Sequence, residues 1–482
     1  MSHNCTTKYI NFPSWCVTMN KKEVLGVKQF FLKLVRIMTK NNNYADVLLI
    51  KENSLTISKD NVDINIDNGM DFGVKLRLFD GEQFHVFGMS GLDKPRLEKE
   101  AVKLSKIKAL NKIRLNICKK KINKHFLVKG KLDPGKISIR KKAETVNKLQ
   151  KQILGGKIIN ARVLYMEEQE LKIFVNQYKQ LSQNINSCFL MTLPFIKAID
   201  GNTRYNYKSF FSSGYEVTKI PLQKIKKLIN TTYKIAKAKK LTPGKYTCIL
   251  SPHLSGLLAH ESFGHGMESD TLYKDRAKAK EFLGKQIAPK FVSIIDNPAF
   301  PARNGSFFFD DEGVMASPTY LIKKGIVKAP ITDMYSASRL CMEGINVKRS
   351  ANARAESYDH KSYARMSNTY FAPGKAKLSK MIKSIKDGLY LHNSSGGMED
   401  PKGWHVQIQG VVAEKIKNGK LTGELFYEIG MTGYLPTILK NIKAVSDKLI
   451  VPGTGRCGKG HKEWVRVSEG GPHLLIKEVD LA

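Results

Sequence analysis

Leu258-Ala259-His260-Glu261-Ser262-Phe263-Gly264-His265-Gly266 is the stretch on which the reading of this chain turns. Ahead of it, residues 245–250 read as a strand, Ser251-Pro252 as a loop, and Leu254 to Ala259 as a buried first helical turn. His260 and Glu261 then interrupt the apolar run, and His265 follows. Two imidazoles beside a carboxylate on an apolar helix are costly to bury without partners. A divalent metal with a carboxylate nearby would satisfy all three.

The spacing is unusual. In the common zinc-peptidase pattern two His stand at i and i+4, on one helix face. Here they stand at i and i+5, about 140° apart at 3.6 residues per turn. Either the helix widens into a π-type turn, which brings i and i+5 into register, or it ends near Gly264 and bends. Gly264 and Gly266 make both easy. Spacing alone also leaves an i,i+4 pair of Glu261 and His265, or unrelated helix-cap histidines.

A remaining ligand has to come from elsewhere in the chain. Cys457 is the best candidate, in Gly453-Thr454-Gly455-Arg456-Cys457-Gly458-Lys459-Gly460. Glycines let such a loop approach a site closely, and Arg456 and Lys459 favour thiolate over thiol. His461 and His473 are weaker candidates. The alternative is a loop cysteine without a role, or an anion-binding nest, but the phosphate-loop pattern GxxxxGK[ST] is not matched. The seven cysteines are scattered, at Cys5, Cys16, Cys118, Cys188, Cys248, Cys341 and Cys457, with no CxxC pair. That excludes a zinc ribbon and predicts reduced thiols rather than a disulfide framework.

Outward from this centre the chain divides in three. Residues 1–125 predict an N-terminal α+β domain. Its first helix, over 22–39, places Val24, Val27, Phe31, Leu34, Val35 and Met38 on one face. Alternating strands follow at Val62, Ile64, Ile66 and at Val74, Leu76, Leu78, and Asp80-Gly81 turns into Phe84 and Val86. A long helix is expected from Leu97 to Ile117. Residues 126–240 form an irregular middle region serving as wall or interface, with helices at 137–154 and 221–239 and strands at 159–175 and 186–200. Residues 241–482 make a β-rich α+β catalytic domain. The fold class is therefore α+β.

Charge is the loudest compositional feature. With 482 residues the formal net charge is +37, and 103–157 holds 18 Lys or Arg against Asp133 and Glu144 alone. Such a surplus attracts polyanions. Groove-like nucleic-acid modules interleave aromatics with the bases, however, and this run contains only Phe126. A solvated lysine-rich surface is the plainer reading, and nucleic acid is not favoured as a partner. No apolar stretch approaches the roughly 20 residues of a membrane-spanning helix. The start, Met1-Ser2-His3-Asn4-Cys5, lacks a basic region followed by an apolar one, so a cytoplasmic location is expected.

Taken in order, these blocks resemble the TldD/PmbA group of metallopeptidases, and specifically its catalytic TldD-type subunit. The resemblance rests on residues 244–251 running into His260-Glu261-Ser262-Phe263-Gly264-His265-Gly266 and the acids Glu268 and Asp270. Asp310-Asp311-Glu312-Gly313 follows, then the 352–374 block with Arg354, Glu356 and Asn368, then the loop carrying Cys457. It covers about residues 240–482. It implies a peptidase with one Zn2+ held by His260, His265 and Cys457, with Glu261 as general base. It also implies a dimer, either a homodimer or a heterodimer with a metal-free sister subunit, enclosing a cavity that admits unfolded or small peptides. The +37 charge is unusual for such a protein.

In that reading Glu261 takes a proton from water and passes it to the leaving amine. Extended peptides are commonly held by adding a strand to an exposed sheet edge. The 352–369 block is the candidate wall, with Arg354 and Asn368 as polar contacts. Glu268 and Asp270 are expected to orient the ligand histidines or to lie on the surface, and Asp310-Asp311-Glu312 to form an acidic turn. His253 is expected to cap or pack, and Trp404 and His405 to begin a structural strand. The same donor set would also suit cobalt or iron. Two further readings are a basic nucleic-acid-binding or regulatory protein with a vestigial site, and a hydrolase of a non-peptide amide.

Overall fold

A computed structural model describes residues 19–42, 44–110, 112–460 and 462–482. The expectations for Met1 to Cys5, Cys16 and His461 lie outside the described residues. The architecture is mixed α+β, with an antiparallel N-terminal sheet and a β-rich C-terminal half containing a barrel.

Helix Lys21–Met38 opens on a capping box between Asn20 and Glu23 and buries the six apolar residues that its periodicity marks out. That face packs on alternate residues of three strands: Ala45, Val47 and Leu49; Val74, Leu76 and Leu78; Leu171, Ile173 and Val175. The sheet runs in the order Phe84–Ser90, Ile64–Phe79, Tyr44–Lys59, Ile158–Asn176, Lys179–Lys197, Ile122–Leu127. Strands from both sides of residue 125 therefore share one sheet. The Asp80-Gly81 turn is present, pairing Phe79 with Phe84 and placing Gly81 at φ 99°.

The helix expected from Leu97 to Ile117 is shorter, Lys94–Ser105. Beyond it the chain is irregular. The Leu110 and Ile113 N–H groups donate to the Asp80 and Gly81 carbonyls, and Ile113 and Leu115 pack with Tyr44, Phe79 and Met334. Tertiary burial in an extended path outweighs the helical spacing there. The helices Ile139–Ile153 and Leu222–Ile235 and the strands Ile158–Asn176 and Lys179–Lys197 fall where the middle region was expected to hold them.

In the C-terminal half, one sheet runs Lys420–Tyr434, His405–Lys417, Asp387–Asp400, Gly244–Leu250, Leu474–Leu481, Ile442–Val445. Lys420–Tyr434 also pairs with Leu474–Leu481, which closes the ring. A second sheet runs Ile326–Val327, Thr319–Lys323, Ile294–Asp296, Asn368–Phe371, Lys462–Gly470, Gly455–Lys459. Helix Pro252–Ala259 packs its leucines into the core between these two sheets. Trp404 is buried there against Phe263 and Phe282, as a structural residue.

Buried ion pairs tie the N-terminal sheet to the rest. Arg77 donates to Asp46 at 2.6 and 2.9 Å and to Glu312 at 3.0 Å, and Lys172 reaches Asp311 at 2.6 Å. Asp310-Asp311-Glu312 is thus a buried anchor. Arg466 donates to Glu170 at 3.0 Å, and Arg456 pairs with Glu168, fixing the hairpin that carries Cys457 against the same sheet.

Candidate active site

The helix that begins at Pro252 is buried on nearly every side. Close approach is built in at Gly256, where a Cβ would sit 2.1 Å from the Gly470 backbone nitrogen. After Ala259 the helix widens into a π turn over His260–Gly264, and the His265 N–H donates to the His260 carbonyl. Of the two geometries left open by the i,i+5 spacing, the widened turn is the one adopted. It brings the two imidazoles onto one side, with ring centroids 5.2 Å apart and planes at 89°. Gly264 admits Met366 into the turn, since a Cβ there would meet Met366 Sδ at 2.1 Å.

Cys457 arrives from strand Gly455–Lys459, paired opposite Val465. Its Sγ lies 3.2 Å from His265 Nε2. One ligand atom each from His260, His265 and Cys457 lies within 4.8 Å of the others. A borderline-soft divalent ion suits this N2S donor set. His260 Nδ1 is buried without a hydrogen-bond partner, a costly orphan that metal coordination or a bound water would satisfy. These residues fit a zinc ion.

Electrostatics agree. Burial raises the Cys457 thiol pKa, but the two imidazoles outweigh it and hold the group well below its ordinary range as a thiolate. Burial likewise opposes charge on His260, yet the thiolate beside it raises its pKa to about 9. His265 is raised further, by Cys457 and by Glu268, whose carboxylate lies 3.6 Å from Nδ1. Thiolate and imidazolium thus compensate one another in the cluster.

Glu268 is itself fully buried, and burial would raise its pKa. Lys459 at 2.9 Å, with His265 and Arg365, instead holds it at about 2. Lys459 also reaches Asp270 at 2.7 Å. Arg365, wholly buried, donates to the Cys457 carbonyl at 2.8 Å and to its sulfur at 3.2 Å. Glu268 and Asp270 are therefore inside the molecule, braced against the ligand residues.

The cluster opens on a cleft of about 600 Å3. One wall is the Gly455–Lys459 strand, an edge whose only strand partner among the described residues is Lys462–Gly470. The facing wall is the end of strand Asp387–Asp400, with Gly397, Met398 and Glu399. Glu261 projects into the cleft beside Gly397, where a Cβ would lie 2.8 Å from Glu261 Cγ. Glu261, His265 and Glu399 also bring ligand atoms within 4.8 Å of one another. Burial, the Glu261 charge and a hydrogen bond to it push the Glu399 pKa up to about 7, and burial raises Glu469, across the cleft, to about 7.

Arg354 and Asn368 are not among the residues that line this cleft. Arg354 donates at 2.6 Å to the Met366 and Arg466 carbonyls, and Asn368 to Asn297 O at 2.7 Å and Ser306 Oγ at 3.1 Å. Strand Asn368–Phe371 is paired on both sides, so it offers no free edge. His473 lies apart, bonded to Tyr390, and His253 packs between Ser394 and Tyr207. The sequence reading missed Arg365, Glu399 and Glu469. Glu399 follows the Gly396-Gly397 pair that permits its approach, which was the available signal. Arg365 and Glu469 lie in ordinary local sequence and carry none.

Residues 243–482 match the PmbA/TldA metallopeptidase C-terminal domain. A metalloprotease of Methanocaldococcus jannaschii is 28% identical over 448 residues, covering 91% of this chain and 97% of that one. A zinc metalloprotease TldD homolog of Saccharolobus solfataricus is 34% identical over 244 residues, 49% of this chain and 51% of that one. The fold is shared with TldE of Thermococcus kodakarensis, at TM-score 0.70 and 13% identity over 94% of this chain and all of that one. It is shared also with a Thermotoga maritima chain described as a modulator of DNA gyrase, at TM-score 0.74 and 17% identity over 95% and 100%. With the His260, His265 and Cys457 donors gathered at one point, this chain is a metallopeptidase of the TldD/PmbA family.

Proposed function

We propose that the chain is the catalytic member of its family, a zinc peptidase in which His260, His265 and Cys457 hold one metal ion and Glu261 is the general base. The observation that carries this is the π turn, which puts i,i+5 histidines on one side beside the Cys457 sulfur. A zinc ion held there supplies Lewis acidity, polarising a peptide carbonyl and making water a better proton donor.

The protein's own groups account for the rest. Glu261 sits next to a ligand but faces the cleft, placed to take a proton from water and deliver it to the leaving amine. Glu399, within 4.8 Å of Glu261 and with its pKa raised to about 7 by burial and the Glu261 charge, is placed to steer that carboxylate. Glu268 orients His265 through Nδ1, and Arg365 and Lys459 balance the acid and the thiolate.

An extended substrate would add as a strand to the free edge of Gly455–Lys459, which favours peptides over compact folded proteins. Arg354 and Asn368 would support the wall from behind rather than touch substrate. In this proposal residues 241–482 form the catalytic domain, and the sheet built from 1–125 and 126–240 backs its hairpin. Assembly as a homodimer or with a metal-free sister subunit, and a cytoplasmic location, are carried over from the family resemblance. No described helix is long and apolar enough to cross a membrane.

The test is zinc content and peptide cleavage on the same preparations of the wild type and Glu261→Gln. Zinc in both and cleavage in the wild type alone is expected. A wild type purified without chelators that contains no metal would overturn the proposal.

A further inference from the structure

A second concavity, of about 700 Å3, lies between helix Leu222–Ile235 and the barrel, walled by strands Asp387–Asp400, His405–Lys417 and Lys420–Tyr434. Lys224, Lys227 and Lys234 line it from the helix, and Lys208 reaches it from the adjoining strand. The spacing explains the convergence. Positions 224, 227, 231 and 234 recur by threes and fours, so they share one helix face, with Thr231 completing the row.

Four ammonium groups at one concave surface repel one another unless something offsets them. None of the four makes an ion pair among the described residues. The carboxylates nearby are engaged elsewhere: Lys239 takes Glu424, Lys415 takes Asp387 and Arg204 takes Asp200. The cavity's one acid, Glu414, faces His392 at 3.7 Å and accepts from the Gly423 N–H at 3.1 Å. Burial lowers the Lys208 pKa, and the Lys224 and Lys227 charges lower it further, as expected of like charges held together. The lining thus sets four lysines against the single acid Glu414, whose pKa is lowered first by His392 and also by the Lys234 charge, and so it is short of negative charge.

We infer that this cavity binds a linear oligophosphate anion. Lysines are compact point charges on flexible stems, which track a chain of phosphates. Planar carboxylate recognition is better served by the arginine fork, no arginine is among the described residues that line the cavity, and Arg204 is spent on Asp200 and on the Ile235 and Ala238 carbonyls. Ten residues separate Lys224 from Lys234, roughly 15 Å of helix axis. That length suits several phosphates in a row rather than one. Inorganic tripolyphosphate and a nucleoside triphosphate present the same group.

The experiment is calorimetric titration of the full-length chain, at fixed moderate salt, with sodium tripolyphosphate, with ATP free of magnesium, and with a short DNA duplex. Expected is saturable tripolyphosphate binding at one site per chain, weakened about tenfold or more in Lys224→Glu/Lys227→Glu. Lys119→Glu/Lys120→Glu, with the same charge loss in the 103–157 run, should change affinity by less than about twofold, because screened charges act locally. Equal affinity for ATP would show that the phosphate chain alone is read, and tighter ATP binding that the nucleoside is held as well. No saturable tripolyphosphate binding, or equal weakening in both variants, would overturn the inference. Duplex binding sensitive to Lys224 and Lys227 without tripolyphosphate binding would overturn it in favour of a nucleic-acid contact.

Discussion

Cys457 Sγ lies 3.2 Å from His265 Nε2 across 192 positions of sequence, one residue on a sheet edge and the other closing a π turn. Neither element can hold a metal alone. Cys457→Ala and His265→Ala should each cut zinc from about one per chain to below about a tenth of that, since losing one of three protein ligands collapses affinity. Elemental analysis after dialysis reads the outcome. Full zinc in Cys457→Ala would move the third ligand elsewhere, with Glu399, grouped with Glu261 and His265 within 4.8 Å, as one alternative.

Glu261→Gln keeps the side chain's size and removes its capacity to accept a proton. Peptide turnover should fall about 10^2- to 10^4-fold, the usual contribution of a positioned general base, while zinc content stays at the wild-type level. Cleavage kinetics with parallel metal analysis separates the two effects. Parallel loss of metal and activity would instead make Glu261 a ligand.

Two glycines of this helix should respond differently to the same added methyl. At Gly256 the new Cβ would meet the Gly470 backbone at 2.1 Å, and backbone cannot step aside cheaply. Gly256→Ala should destabilise by about 3 kcal/mol or more. At Gly264 the obstacle is the Met366 thioether, a flexible group. Gly264→Ala should cost about 1–3 kcal/mol, and Met366→Ala in the same chain should recover part of it. Thermal or urea unfolding reads both. Equal rescue of both variants by Met366→Ala would contradict the packing described here.

The sequence-to-structure correspondence is uneven for physical reasons. The face of helix Lys21–Met38 was legible because its apolar residues recur at helical period, and the Asp80-Gly81 hairpin because its turn chemistry is local. His260, Glu261 and His265 stood out as polar groups within an apolar run. Cys457 was visible only through its glycine-rich setting. The overextended helix at 97–117 kept its helical spacing on paper, but Ile113 and Leu115 have a better-packed extended alternative against Tyr44 and Phe79. Arg365 and Glu469 were illegible, because their roles arise from strands that meet only in the folded chain. Arg354 and Asn368 were expected as polar contacts to substrate, whereas they donate to the Met366, Arg466 and Asn297 carbonyls and to Ser306 Oγ, partners that no local pattern announces.

Arg77 bridges two buried acids, Asp46 and Glu312, from opposite halves of the molecule. Arg77→Met leaves Glu312 to Arg349 and leaves Asp46 with no ion-pair partner among the described residues, so it should destabilise by about 3–5 kcal/mol. Adding Asp46→Leu should recover a share of that, because an apolar pair of similar volume escapes the desolvation of an unpaired charge. A double-mutant cycle by urea unfolding measures the coupling. Additive losses would mean that water already reaches the pair.

His253 supplies the pH dependence that is independent of the metal cluster. Burial, reinforced by the Lys208 charge, lowers its pKa from the ordinary 6.5 to about 4, and the ring is held neutral between Ser394 and Tyr207. With the native pKa depressed, the unfolded chain binds the extra proton between about pH 6.5 and 4. Stability from this residue is therefore intact above pH 6.5 and is lost as pH falls towards 4. The maximal loss is about 3 kcal/mol, from a depression of roughly two and a half units at 1.36 kcal/mol each. The ligand imidazoles have raised pKa values and respond with the opposite sign, so wild type alone would mix the two. The difference between wild type and His253→Gln cancels the imidazoles they share. Wild type should lose its stability advantage over His253→Gln through this window in urea titrations at several pH values. Parallel curves would show that His253 takes up its proton in the folded chain as readily as in the unfolded one.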